Sequence, residues 1–129
     1  MFKTLICMAG LGLLASNTFA ADVEFSESYQ QCMNSAISTP QMHACIGAET
    51  KQQDTRLNLA YNAARSGLDR SQQKQLQDVQ RKWMAYRDGN CAFYGNPKGG
   101  SIASVNAGMC LLEMTSTRAD ELENLSKVP

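Results

Sequence analysis

Four cysteines, Cys32, Cys45, Cys91 and Cys110, lie downstream of an N-terminal apolar segment that holds a fifth, Cys7. Their chemistry depends on the compartment in which the chain resides. Met1-Phe2-Lys3 is a short positive start, Leu5 to Leu14 is an apolar run, and Thr18-Phe19-Ala20 places small residues where a signal peptidase reads. That is the pattern of an export signal over residues 1–20, with cleavage before Ala21. The run falls short of the roughly 20 apolar residues that span a bilayer, so no membrane span is expected. Cys7 is not read as a lipidation site, because Ile6 stands where a small residue should precede it. The expected mature chain, residues 21–129, keeps four cysteines for an oxidising compartment, which reads as two disulfides. Structural zinc usually takes ligand pairs separated by about two to four residues, whereas these intervals are 13 (Cys32 to Cys45) and 19 (Cys91 to Cys110). Of the three possible pairings, Cys32–Cys45 with Cys91–Cys110 is favoured, since each bridge would then clamp two consecutive helices across a short connection.

The 129 residues suffice for one ordinary domain. Lys+Arg and Asp+Glu are 12 each, aromatics are 7% and hydrophobic residues 43%. This argues against a nucleic-acid binder, which carries a basic surplus and stacking residues, and against disorder. Removal of residues 1–20 takes away Lys3, leaving 11 basic against 12 acidic residues, a net charge of −1. A single histidine, His43, gives no foundation for a His-based metal site or a Ser–His triad. No Gly-x-Ser-x-Gly motif is present, and Lys98-Gly99-Gly100-Ser101 has its lysine on the wrong side of the glycines for a phosphate loop. The reading is a non-enzymatic protein with no catalytic residue, metal or cofactor.

The periodicity is helical throughout the mature chain. Val23 to Ile37 reads as a first helix, with Phe25, Tyr29, Cys32 or Met33, and Ala36 at helical spacing. Ser38-Thr39-Pro40 ends it and opens the next, Thr39 as N-cap and Pro40 in the first turn. The second helix runs to about Ser66, with Gly67 as its cap. A third starts near Asp69 or Ser71 and carries Leu76, Val79, Trp83 and Tyr86 at intervals of three and four, finishing around Cys91 to Tyr94. Residues 95–101 form the one clear loop. A last helix spans Ile102 to Ser126, with Cys110, Leu111, Met114, Arg118, Leu122 and Leu125 along one face. The expectation is an all-α bundle of about four helices braced by two disulfides, one domain over residues 21–129.

Two sets of motifs carry a family resemblance. The first half has Tyr29-x-x-Cys32, Met42-x-x-Cys45 and Asp54-x-x-Leu57-Asn58-x-x-Tyr61. The second has Gln80-x-x-Trp83-x-x-Tyr86-Arg87-Asp88-x-x-Cys91, Gly99-Gly100-Ser101 and Cys110-x-x-x-Met114-Thr115-x-x-Arg118-x-x-x-Leu122. In order and spacing the chain resembles the lysozyme inhibitor LprI-like domain family. The resemblance implies a small exported helical domain of bacteria, in a family named after a mycobacterial lipoprotein that inhibits lysozyme. This sequence differs from that namesake in lacking a lipidation site.

Two groups of residues are candidates for function. Trp83, Tyr86 and Tyr61 could anchor a partner, but they share helical faces with Leu57, Leu76 and Val79, which assigns them to the core. Asp54, Arg87, Asp88 and Arg118 read as semi-buried charges that need partners, with at least one arginine pairing a carboxylate of another helix and fixing register. The functional alternative for this constellation is a site for an acidic or sugar ligand. The segment with Tyr94, Lys98, Gly99, Gly100 and Ser101 is the candidate recognition loop, since loops on a rigid scaffold commonly bind. Its lysine, hydroxyl and glycine amides could occupy the two-carboxylate cleft of a lysozyme; the plainer role of the glycines is to let the chain turn. The expected partner is a lysozyme or a cell-wall-degrading toxin, although a net charge of −1 would steer a basic lysozyme only weakly. The other class is a periplasmic interaction module, tied to envelope stress or toxin immunity, that inhibits no lysozyme.

Overall fold

The computed structural model describes residues 23–128. The expected export signal over residues 1–20, its cleavage before Ala21 and Cys7 lie outside the described residues. Among the described residues there are four α-helices, a 3₁₀ turn and no strand, in the order α1 (Glu27–Ser35), α2 (Thr39–Ser66), α3 (Arg70–Tyr94), the turn Pro97–Gly99, and α4 (Gly100–Leu125). The all-α architecture and both disulfides agree with the sequence reading. Cys32–Cys45 ties α1 to α2 and Cys91–Cys110 ties α3 to α4, with Cα–Cα distances of 5.7 and 5.4 Å.

Local chemistry sets the helix boundaries. The Ser26 hydroxyl accepts the Tyr29 N–H at 3.2 Å, so α1 starts four residues later than its apolar spacing suggests. Ala36 is already extended and Ile37 is exposed, so the helix does not reach Ile37. Ser38, not Thr39, caps α2, accepting the Gln41 N–H at 3.4 Å. Asp69 and Gln72 form a reciprocal capping box at the start of α3. Gly67 caps the end of α2 as expected, in a right-handed conformation. The loop is shorter than its composition implied, because Gly100 and Ser101 already belong to α4. Gly100, with φ of 67°, turns the chain from the 3₁₀ turn into that helix, where a side chain would be strained.

Helix α4 is the centre of the bundle: α2 packs along one side of it and α3 along another, while α2 and α3 touch little. The predicted face of Cys110, Met114 and Arg118 meets α3, and a deeper face of Leu112, Ser116 and Ala119 meets α2. Gly108 belongs to that second face, where a Cβ would stand 3.3 Å from Ile46 Cγ2. The core divides into two clusters. One, toward the C-terminal half of α2, joins Leu57, Ala60, Ala64, Leu76, Ala119 and Leu122, with Tyr61, Leu68 and Trp83 against it. The other joins Ile46, Val105 and Leu112, covered by Phe25, Tyr29, Met33, Met42 and Met109. Helix α1 therefore acts as a cover over the second cluster. Among the described residues no helix is long and apolar enough to cross a membrane.

Candidate functional site

The buried side of α3 is not the predicted row. Val79 and Tyr86 are exposed, Tyr86 at 63%, while Leu76, Gln80, Trp83, Arg87 and Cys91 face α4. Placing Tyr86 in the core is thus a correction. Two of the five inward residues are polar, and they stay there because α4 offers partners: Arg118 Nε donates to Gln80 Oε1 at 3.0 Å and Arg87 donates to Thr115 Oγ1 at 3.3 Å. The guanidinium carbons of Arg87 and Arg118 lie 5.1 and 5.8 Å from the Trp83 ring centre, within cation–π range.

Neither arginine of the constellation makes the expected ion pair with a carboxylate of another helix. Arg118 pairs with Glu121 of its own helix at 2.7 Å, and Arg87 with its exposed neighbour Asp88 at 2.8 Å. Asp54 is exposed, has no ion-pair partner among the described residues, and is reached only by the Asn58 amide at 3.5 Å. Arg56, which the sequence reading passed over, joins α2 to α4. It bonds Asp120 at 2.7 Å, Glu123 at 3.4 Å, and the Ser116 carbonyl and hydroxyl at 2.9 and 3.2 Å. An arginine facing a neighbouring helix carries no local signature when its acids lie more than sixty positions away.

Glu49 was also missed as a structural residue, and it is 1% exposed. It accepts the Ser26 N–H at 3.0 Å, the Ser26 hydroxyl, and the Gln53 amide at 2.8 Å. Burial pushes its carboxyl up, but these bonds and the Arg56 charge outweigh burial and leave the pKa below the usual carboxylate value. Tyr29, beside it, has its phenol pushed up by burial and by the Glu113 and Glu49 charges. His43 is exposed and bonds Ser104 at 2.9 Å across α2 and α4. No group of three or more His, Cys, Asp or Glu among the described residues is placed to hold a metal ion.

Two surfaces combine candidate residues. The first is the tip of the α3–α4 hairpin. Tyr94 ends α3, Lys98 and Gly99 form the 3₁₀ turn, and Gly100 and Ser101 begin α4, so the candidate loop is a compact tip that includes both helix ends. Phe93, Tyr94 and Ile102 are 81, 51 and 55% exposed, and Lys98 between them in sequence is exposed too. The Cys91–Cys110 bridge braces the tip, and a Cβ on Gly99 would stand 2.7 Å from Ala103 Cβ. The second surface is a groove of about 260 Å³ between α2 and α3, lined by Asp54, Tyr61, Trp83 and Arg87 of the charged and aromatic constellation, with Asn58 and Gln80 beside them. It exists because α2 and α3 each pack on α4 and leave space between themselves. Asp88 and Arg118 are not among its lining residues.

The family model for lysozyme inhibitor LprI matches residues 32–122, from the first bridging cysteine to the last buried leucine of α4. The chain belongs to the lysozyme inhibitor LprI family. That is a family of inhibitor domains by name rather than of enzymes, and its two disulfides here suit an oxidising, extracytoplasmic location. The chain is also similar to an uncharacterized protein of Rhizobium meliloti (strain 1021), 29% identical over 105 residues, covering 70% of this chain and 75% of that one. No solved structure matches. Membership in the LprI family gives lysozyme-inhibitor-like function at the level of the family, and the residues above supply what is particular to this chain.

Proposed function

We propose that this chain is an exported envelope protein, released from residues 1–20 by cleavage before Ala21, that blocks a lysozyme or a cell-wall-degrading toxin through the α3–α4 tip. The observation that carries the reading is the exposure of Phe93, Tyr94, Lys98 and Ile102 at the turn end of a disulfide-bridged hairpin. Aromatic side chains dominate binding hot spots, and a braced tip loses little conformational freedom when it docks. Glycoside hydrolases of this type work with two carboxylates in a cleft. The Lys98 ammonium, exposed at the end of the hairpin, suits that cleft. The near-neutral charge of the chain predicts slow, weakly steered association, so affinity rests on the tip contacts.

The test is cell-wall lysis by lysozymes of several classes, titrated with purified protein. Wild type should inhibit, and F93A/K98A should inhibit at least about tenfold less while keeping its helical circular dichroism. Absence of inhibition at high molar excess refutes the reading for those enzymes. Inhibition that the double variant retains refutes the tip as its agent. The second reading, an interaction module without inhibition, is favoured by the weak charge complementarity and predicts capture of an envelope protein with lysis unaffected.

A further inference from the structure

We propose that the groove between α2 and α3 is a binding site for a neutral N-acetylated amino-sugar residue of a glycan, separate from the hairpin tip. The decisive group is Gln80. It is 7% exposed and lines the groove, and its Oε1 accepts from Arg118, yet among the described residues its amide nitrogen donates to nothing. That nitrogen is open to the groove rather than sealed, since among the described residues no buried side-chain nitrogen or oxygen lacks a partner. An amide held in place by an arginine, with its N–H donors left for the groove, is prepared for an acceptor from outside.

The rest of the lining narrows the class of ligand. Tyr61 and Trp83 are half-buried lining residues, the Trp83 ring already approached by Arg87 and Arg118, and neither the Tyr61 hydroxyl nor the Trp83 N–H makes a hydrogen bond among the described residues. Asn58 and Gln77 add exposed amides, which can pair with the acetamido group or hydroxyls of a sugar. The charges are mixed: Asp54 and Arg81 both line the groove, and neither has an ion-pair partner among the described residues. An anion would meet the Asp54 carboxylate and a cation would meet Arg81 and Arg87, which disfavours a phosphate and a basic peptide alike. A polar, uncharged ring with an apolar face meets all of these groups favourably. The volume of about 260 Å³ is below that of drug-sized pockets, in keeping with one sugar residue of a longer strand. Asp54 is the one carboxylate in the lining, so the groove lacks the acid pair that glycoside hydrolysis uses.

Trp83 is the chain's one tryptophan and sits in the groove, so its fluorescence reports occupancy directly. Purified protein titrated with the trimer of N-acetylglucosamine, and with soluble glycan strands of cell wall, should show a saturable change. N58A and Q77A alter exposed side chains and should each weaken binding about three- to tenfold, the range for loss of one hydrogen bond. K98A should bind sugar as wild type does. The proposal is overturned by the absence of a saturable change up to about 10 mM trimer. It is equally overturned by binding that both groove variants leave intact, or by an equal response to glucose oligomers without the acetamido group. If N58A and Q77A abolish lysozyme inhibition while sugar produces no response, the groove is a protein interface and the glycan assignment falls. Loss of inhibition in F93A/K98A with sugar binding unchanged supports two separate sites.

Discussion

Replacing Glu49 should loosen helix α1, and its hydrogen bonds set the size of the effect. The carboxylate lies under the helix start, where it accepts the Ser26 N–H, the Ser26 hydroxyl and the Gln53 amide. Because that hydroxyl in turn accepts the Tyr29 N–H, Glu49 orients the N-cap of α1. Hydrogen bonds to a charged acceptor contribute about 1.5–3 kcal/mol each, and water entering the vacated space restores part of that. E49A is therefore expected to lose about 3 kcal/mol, whereas E49Q, which keeps shape and one acceptor, should lose about 1 kcal/mol. The pH dependence has a definite sign. The folded pKa of Glu49 lies below its unfolded value, so its stabilisation is complete above the unfolded value of about 4.3 and is lost as pH falls through the folded one. Wild type should thus lose more stability than E49Q between about pH 6 and pH 3. Urea unfolding followed by far-ultraviolet circular dichroism measures both differences. Amide exchange over residues 27–35 should accelerate in E49A, even though Cys32–Cys45 keeps α1 tethered. The reasoning fails if E49A costs less than about 0.5 kcal/mol, or if wild type and E49Q lose equal stability on acidification.

Three further outcomes follow from the same packing. R56M should cost about 1–2 kcal/mol, discounted because the side chain is 35% exposed, and urea titration in rising salt should show the wild-type advantage shrinking. Replacing Cys91 and Cys110 together with serine opens a loop of 19 residues and should cost about 3 kcal/mol in the same assay; a loss confined to amide exchange at the tip would contradict it. G99A forces a Cβ against Ala103 and should lower the melting temperature, whereas G47A meets nothing within 4 Å and should leave it unchanged or raise it.

The starts of α2 and α3 were readable with little help from packing, whereas both ends of α1 were not. Ser38-Thr39-Pro40 placed the start of α2 within a residue, and the expected start near Asp69 or Ser71 brackets Arg70, the first residue of α3, because caps are contacts between near neighbours. The side of each long helix that faces inward was read less well. On α3 the apolar row through Val79 and Tyr86 lost to one containing Gln80 and Arg87, since Thr115 and Arg118 of α4 satisfy those polar groups. On α4 a single row was predicted and two were found, because this helix is covered by α2 on one side and α3 on another.

The composition and spacing of this chain by themselves determined an all-α domain and favoured Cys32–Cys45 with Cys91–Cys110 among three pairings, since periodicity, caps and short connections are local properties of a chain. Only the tertiary structure decided which charges meet and which surfaces stay open. It buried Glu49 under Ser26, sent Arg56 to α4, exposed Tyr86 and Asp54, and opened the groove beside Trp83. Each of those results depends on residues from different helices coming within hydrogen-bond or van der Waals distance, and a pattern read along one helix carries no information about its neighbour.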